Sequence, residues 1–243
     1  MCELFGVSGK NPIQLNHYLK EFFEHSTVHL HGWGMANFDG EIPAIEKEAV
    51  PAFESKIIEE KLKKHIVDTN MFAHIRLATQ GGIGTENCHP FYQKDQSGRS
   101  WTLIHNGTMF NCPILDKYKK VQIGRTDSER ILLYIIDEVN QRQAQRGYGL
   151  TKKERFKLLD EIICRITKNN NKVNLLIYDG ELFFVHTNYK DTLHYKKVND
   201  TIIFSTVPLD QGKWEDVPFT RLLAYEKGGL SFTGTNHGNE YIK

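Results

Sequence analysis

Apolar residues recur along the chain with two different periods, and the switches between them predict the order of elements. Leu4 to Ser8 reads as a short buried strand, and Ile13 to His25 then carries Leu15, Leu19, Phe22 and Phe23 at helical spacing. Between Gly32 and Glu48 the pattern becomes extended. Asp39-Gly40 serves as the hairpin turn there, because glycine tolerates the positive φ that such turns need. Ile57 to Ile66 has one apolar side among charges and predicts a surface helix, whereas Asn70 to Ala78 is apolar enough for a central strand. Gly81, Gly82 and Gly84, followed by Asn87-Cys88-His89-Pro90, break any regular element. Trp101 to His105 then resumes as a strand that ends on Asn106-Gly107.

The middle of the chain is helical. Thr126-Asp127-Ser128-Glu129 has the spacing of a capping box and precedes Ile131, Leu132, Ile135, Ile136 and Val139, a helix running to about Gln145. Thr151 and Glu154 repeat the box before a second helix, with Phe156, Leu159, Ile162, Ile163 and Ile166 inward, and Asn169-Asn170-Asn171 stops it. The remainder alternates as strands at 173–178, 182–186, 192–197, 201–206, 221–225 and 229–232. Strands, two adjacent helices and strands again predict an α+β chain of two sheets with helices packed outside, since each sheet must cover its second face. No linker-like stretch or internal repeat interrupts residues 2–243, which are expected to form a single domain.

Composition narrows the function classes. Lysine plus arginine total 31 against 30 acidic residues, so net charge offers no reason to expect nucleic acid or an anionic membrane as a partner. No apolar run approaches the roughly 20 residues of a membrane span. Cys2, Cys88, Cys112 and Cys164 contain no C-x-x-C pair and follow no secretory signal, which fits reduced thiols in a cytoplasm rather than a zinc ribbon or a disulfide framework. The eleven histidines lack metal-site spacing, so neither a metal nor a cofactor is expected.

Chemistry enters at the start of the chain. Removal of Met1 would leave Cys2 as residue one, with an α-amino group of reference pKa about 7.7 to 8.0 beside a thiol of about 8.5. The amine can then take the thiol proton near neutral pH, so one residue supplies nucleophile and base. Position alone also allows a cysteine that merely follows the start codon. Other residues carry similar alternatives: Asn106-Gly107 is a common hairpin turn, Arg76 could be a surface arginine, and Asp127 suits the first turn of a helix through the dipole alone.

The motifs taken together resemble one family. Cys2-Glu-Leu-Phe-Gly6, Gly32-Trp33-Gly34, Ala73-His-Ile-Arg76-Leu-Ala-Thr79, Asn87-x-His89-Pro90-Phe91, His105-Asn106-Gly107 and Thr126-Asp127-Ser-Glu129 occur in one order at compatible spacings. This set is similar to the class II glutamine amidotransferases of the N-terminal-nucleophile hydrolase superfamily. The resemblance is dense to about residue 130; beyond it, Ser205 to Leu209 with Trp214 and Val217-Pro218 looks like the tail of stand-alone members. It implies a four-layer αββα sandwich and hydrolysis of glutamine to glutamate and ammonia through a Cys2 γ-glutamyl thioester. Asn106 and the Gly107 N–H would hold the oxyanion, Arg76 the α-carboxylate and Asp127 the α-ammonium, with Thr79, Gly81 and Gly82 in the loop over the substrate. His74, His89 and His105 would hold loops by hydrogen bonds.

Two positions depart from the family: Leu77 stands where many members have tryptophan, and Gln80 where they have histidine. They keep a second reading in play, hydrolysis of a substituted γ-glutamyl amide. A third is a catalytically silent regulatory module on the same fold. The expected partners are therefore glutamine or another γ-glutamyl amide, and an ammonia-accepting enzyme in trans.

Overall fold

The computed structural model describes residues 2–243. Its first strand, β1 (Glu3–Gln14), is twice as long as the apolar pattern predicts, and helix α1 (Asn16–Glu24) starts later. Lys10, Asn11 and Pro12 give no hydrophobic signal. The strand nevertheless continues past a register shift after Ser8, because its backbone pairs with β4 (Val67–Ile75) through Ile13↔Asp68 and Gln14↔Val67. The expected hairpin is β2 (Trp33–Asn37) and β3 (Ala44–Glu48), and the surface helix is the shorter α2 (Lys56–Leu62).

A short strand, β5 (Phe91–Lys94), precedes β6 (Ser100–Thr108). Asn106 and Gly107 do not end β6 in a turn. They lie inside it, opposite Asn174 and Val173 of β7 (Lys172–Tyr178). The two central helices are α3 (Asp127–Arg146) and α4 (Lys152–Ile166). After β7 come β8 (Phe183–Thr187), β9 (His194–Val198), β10 (Thr201–Ser205), β11 (Glu215–Asp216), β12 (Arg221–Glu226) and β13 (Gly229–Thr233).

These strands form two antiparallel sheets. One runs β11-β9-β10-β1-β4-β2-β3 and the other β13-β12-β8-β7-β6-β5. Three apolar layers follow from strand alternation. Phe5, Val7 and Ile75 point outward against Leu19, Phe22 and Phe23 of α1, while Leu103, Leu175 and Ile177 point outward against Ile131 and Ile135 of α3 and Ile162 of α4. Leu4, Phe72, Ile104, Leu176 and Phe183 meet between the sheets. The order is helix, sheet, sheet, helix. Each such fully buried side chain contributes about 1.5 to 3 kcal/mol relative to exposure.

The two capping sequences resolve differently. At α4 the box is reciprocal, with Thr151 and Glu154 each satisfying the other's backbone N–H. At α3 the Thr126 hydroxyl accepts from Glu129 N–H, but the Glu129 carboxylate accepts instead from Ile123 (2.6 Å) and Gly124 (2.8 Å). It thus fixes the loop that delivers Asp127.

Beyond β13 the chain returns to the end of β8. His186 Nδ1 donates to Val173 carbonyl oxygen, His237 Nδ1 accepts from Asn239 N–H, and the two Nε2 atoms lie 3.0 Å apart. Tyr241 N–H donates to the Asn188 carbonyl, which completes the clip. No helix among the described residues is long and apolar enough to cross a membrane.

Candidate active site

The end of the sandwich where β1 begins gathers most of the residues singled out above. Leu4 faces the space between the sheets, and Cys2, two residues earlier, turns the same way. It lines a cavity with Arg76, Leu77, Thr79, Gln80, His105, Gly107, Thr126 and Asp127. Gly81 packs against Arg125 and Thr126 beside this cavity; Asn106 is not part of its lining, though its neighbour Gly107 is. Met1, whose removal the sequence reading requires, lies outside the described residues.

Several contacts fix the backbone on either side of the thiol. Leu4 N–H donates to the Thr206 hydroxyl (2.8 Å), and Thr206 N–H returns to the Leu4 carbonyl. Glu3 is turned to the opposite face and held by His25 Nδ1 at 2.8 Å. The Cys2 thiol lies 3.5 Å from the Leu77 carbonyl oxygen. Burial pushes its pKa up, opposed by the nearby Arg76 guanidinium.

Asn106 and Gly107 lie side by side within β6. Asn106 is buried, and its Nδ2 has no hydrogen-bond partner among the described residues. A buried amide without an acceptor costs roughly 1 to 3 kcal/mol, so it is ready for one. Gly107 has to be glycine, because a Cβ there would overlap the Lys172 carbonyl oxygen and the His105 ring. His105 is wedged between helix and strand: Nδ1 lies 2.9 Å from Ser128 Oγ and Nε2 3.3 Å from the Lys172 carbonyl oxygen.

His74 and His89 behave otherwise than expected. Apart from the His105 backbone at His74, their ring nitrogens find no hydrogen-bond partner among the described residues; the rings stack at 4.0 Å, with Phe91 edge-on to His89. Both are enclosed, which disfavours the charged form and holds His74 down at about 3 and His89 well below its ordinary value. They act as flat packing units. Loop-tying falls to Asn87, whose Oδ1 accepts Arg125 N–H at 2.7 Å while its Nδ2 donates to the Gly81 carbonyl.

Arg76 and Asp127 are both engaged by backbone. Arg76 Nη1 and Nη2 each donate at 2.7 Å, to the carbonyls of Gly82 and Gln80. Asp127 accepts from Met109 N–H at 2.8 Å and from Ser128 N–H at 3.0 Å. The cavity between them is only about 20 Å³, scarcely more than the space a single water occupies. The loop carbonyls of residues 80 and 82 thus occupy the guanidinium. Gly81 (φ 86°) and Gly82 (φ 66°) supply the left-handed backbone of that loop.

Lys172 was not foreseen. It is 3% exposed at the start of β7, opposite Thr108, with its ammonium 4.5 Å from the Tyr189 ring. Burial lowers its pKa to about 8, and the Cys2 sulfur acts on it in the opposing sense. A lysine that merely precedes an apolar strand carries no sequence signal of burial. Among the described residues no cluster of His, Cys, Asp or Glu could hold a metal ion, and the cysteines are unpaired.

The sequence profile of the class II glutamine amidotransferases matches residues 1–197. The chain belongs to that family. An uncharacterized protein of Methanocaldococcus jannaschii is 29% identical over 200 residues, covering 81% of this chain and 54% of its own length. A Haemophilus influenzae protein assigned by name to the glutamine amidotransferases is 29% identical over 201 residues, covering 80% and 65%. The chain thus spans between half and two thirds of these curated relatives.

Solved amidotransferase structures share the architecture. Glutamine phosphoribosylpyrophosphate amidotransferase from B. subtilis superposes with a TM-score of 0.66 at 20% identity, over 95% of this chain and 48% of that one. A glutamine amidotransferase structure from Pseudomonas aeruginosa gives 0.61 at 19% identity, over 94% and 99%. At these identities the likeness establishes the four-layer αββα fold of this amidotransferase and nothing finer.

Proposed function

We propose that residues 2–243 form one amidotransferase domain that hydrolyses the side-chain amide of glutamine through a γ-glutamyl thioester on Cys2. The observation that carries this reading is the buried, unpartnered Asn106 Nδ2 of β6, next in sequence to Gly107, which lines one cavity with Cys2. The sequence of steps follows from the parts. Once Met1 is removed, the α-amino group of Cys2, through a water, takes the thiol proton, and the thiolate attacks the amide carbon. Asn106 Nδ2 and Gly107 N–H receive the developing oxyanion, worth about 2.7 to 4 kcal/mol per donor. The protonated amine returns its proton to the departing nitrogen, ammonia leaves, and water hydrolyses the thioester to glutamate.

Arg76 and Asp127 fit the two charges of the amino-acid head, with Thr79 and Gly81 in the loop that must lift and re-close over it. A bidentate guanidinium–carboxylate pair is stronger than the two carbonyl contacts Arg76 makes now, so substrate can displace the loop. Delivery of ammonia to an acceptor enzyme in trans is part of the same reading. The substituted-amide reading rests on Leu77 and Gln80, both of which line the cavity.

Ammonia release from glutamine, compared with amine release from γ-glutamyl amides, tests the choice. Turnover of glutamine is expected; amine release with none from free glutamine would transfer the proposal to substituted amides. Asn106→Ala should lower kcat by about 10² to 10³-fold with KM nearly unchanged, since its amide meets only the transition state. A loss confined to KM would remove Asn106 from the oxyanion role.

A further inference from the structure

A second cavity, of about 340 Å³, opens beside the first. It is lined by Gln80, Met109, Asn111, Asp116, Lys119 and Arg130 among others. Gln80 borders both cavities, and Met109 donates its N–H to Asp127. Asp127 and Arg130 are three residues apart on α3, so they share a helix face, one residue serving each cavity.

Arg130 is the unusual group in this wall. It is 9% exposed, its Nε is buried with no hydrogen-bond partner, and among the described residues its guanidinium makes no ion pair. Arginine cannot shed its proton to escape burial, so an anion that meets the guanidinium is favoured there. The nearest acid in the wall, Asp116, is already paired with Lys119 at 2.7 Å, on the exposed rim. The strap across the cavity is rigid, since Asn111 is tied through its N–H and carbonyl to Asn171 at 2.9 and 3.0 Å. The guanidinium fork, with no contact ion pair among the described residues and only the longer-range field of Asp116 upon it, lines a space large enough for a small anion.

We propose that this cavity is an anion subsite in which the Arg130 guanidinium, with the Lys119 ammonium at its rim, binds a carboxylate or phosphate group next to the amino-acid head held at Asp127. The subsite extends the proposed amide hydrolysis and rests on it for the identity of the neighbouring head. Its anion has two sources, a group carried by the substrate itself or a separate small anion that settles beside it. Gln80 is the partition between the cavities, which gives the family departure at that position a consequence: its flexible side chain can turn aside where a ring would not.

Binding is measured first, without turnover, by titrating inorganic phosphate into the full chain in a calorimeter. Saturable one-to-one binding is expected, weakened at least tenfold in Arg130→Gln and less in Lys119→Gln and Arg130→Lys. Arg130→Gln should melt no lower than the parent, because no contact ion pair is lost with the guanidinium; a purely structural arginine would lower the melting point. The source is then read from kcat/KM for γ-glutamylglycine, whose leaving amine bears a carboxylate, against γ-glutamyl methylamide. A tenfold loss in Arg130→Gln confined to the former places the anion on the substrate. Equal values, with phosphate binding lost, assign a separate anion. Phosphate binding that is absent or indifferent to Arg130, together with no change in discrimination between the two amides, overturns the subsite. If neither amide nor glutamine is turned over, the hydrolase reading fails and the phosphate titration still decides the subsite.

Discussion

Cys2→Ala is expected to stop amide hydrolysis, lowering kcat by about 10⁴-fold or more while leaving glutamine binding within a fewfold. Removing the nucleophile from a unit of coupled groups typically costs that much, and what survives comes from oxyanion donors and substrate orientation. No other thiol can substitute. Cys88 is enclosed, with burial pushing it up to about 11, and Cys112 stands at the same value on the far side of Gln80, in neither case lining the small cavity. A chain that keeps Met1 should show the same loss with Cys2 intact, because the base would be an amide nitrogen with no proton affinity near neutral pH. Intact-mass spectrometry after an acid quench separates these cases: the processed parent should carry a γ-glutamyl adduct, and neither other chain should. Wild-type rates in Cys2→Ala would remove the thioester from the mechanism.

Stability should fall steeply on acidification below pH 6.5. His74, His89 and His186 are fully enclosed, and burial holds His74 and His186 down at about 3 and His89 well below its ordinary value. The unfolded chain, with histidines near 6.5, binds protons that the folded chain refuses. The folded state is therefore favoured in full above pH 6.5 and loses about 1.4 kcal/mol per histidine for each unit of acidification, down toward pH 3. Three such groups give about 4 kcal/mol per unit. Carboxylates enter only at lower pH; Asp68, raised by burial, works in the opposite sense there. Urea unfolding at pH 7.5, 6.5 and 5.5 should show a net proton uptake on unfolding that grows as the pH falls and reaches about three or more at pH 5.5, since His105 and His237 are also held low, and His186→Asn should reduce it there by about one. A flat profile across that range would mean that the histidines are protonated in the folded chain.

The helices and the site were legible to different depths. Thr126 and Thr151 announced both central helices because capping is local chemistry written in four consecutive residues. The polar continuation of β1 and the two-residue β11 were silent, since backbone ladders hold them without an apolar signal. Asn106-Gly107 read as a turn by local propensity. Pairing with β7 overrode that propensity and kept the pair in a strand. The identities of Cys2, Arg76, Thr79, Gly107 and Asp127 were found by motif, and one cavity gathers them. Lys172 and Arg130 were not found, because a cation buried by long-range packing leaves no period or spacing in its own neighbourhood.

The carbonyls that occupy Arg76 also decide what the thiol meets between turnovers. With residues 80 and 82 seated on the guanidinium, the space beside Cys2 admits a single water and little else. On the proposed mechanism, in which the loop lifts for substrate, bulky electrophiles such as alkylating agents and disulfides would gain access to the sulfur with the same motion. A lid that the proposed substrate has to raise would then also be a shield, and the lifetime of the thiol in an oxidising or electrophilic medium would follow the same opening as its access to substrate.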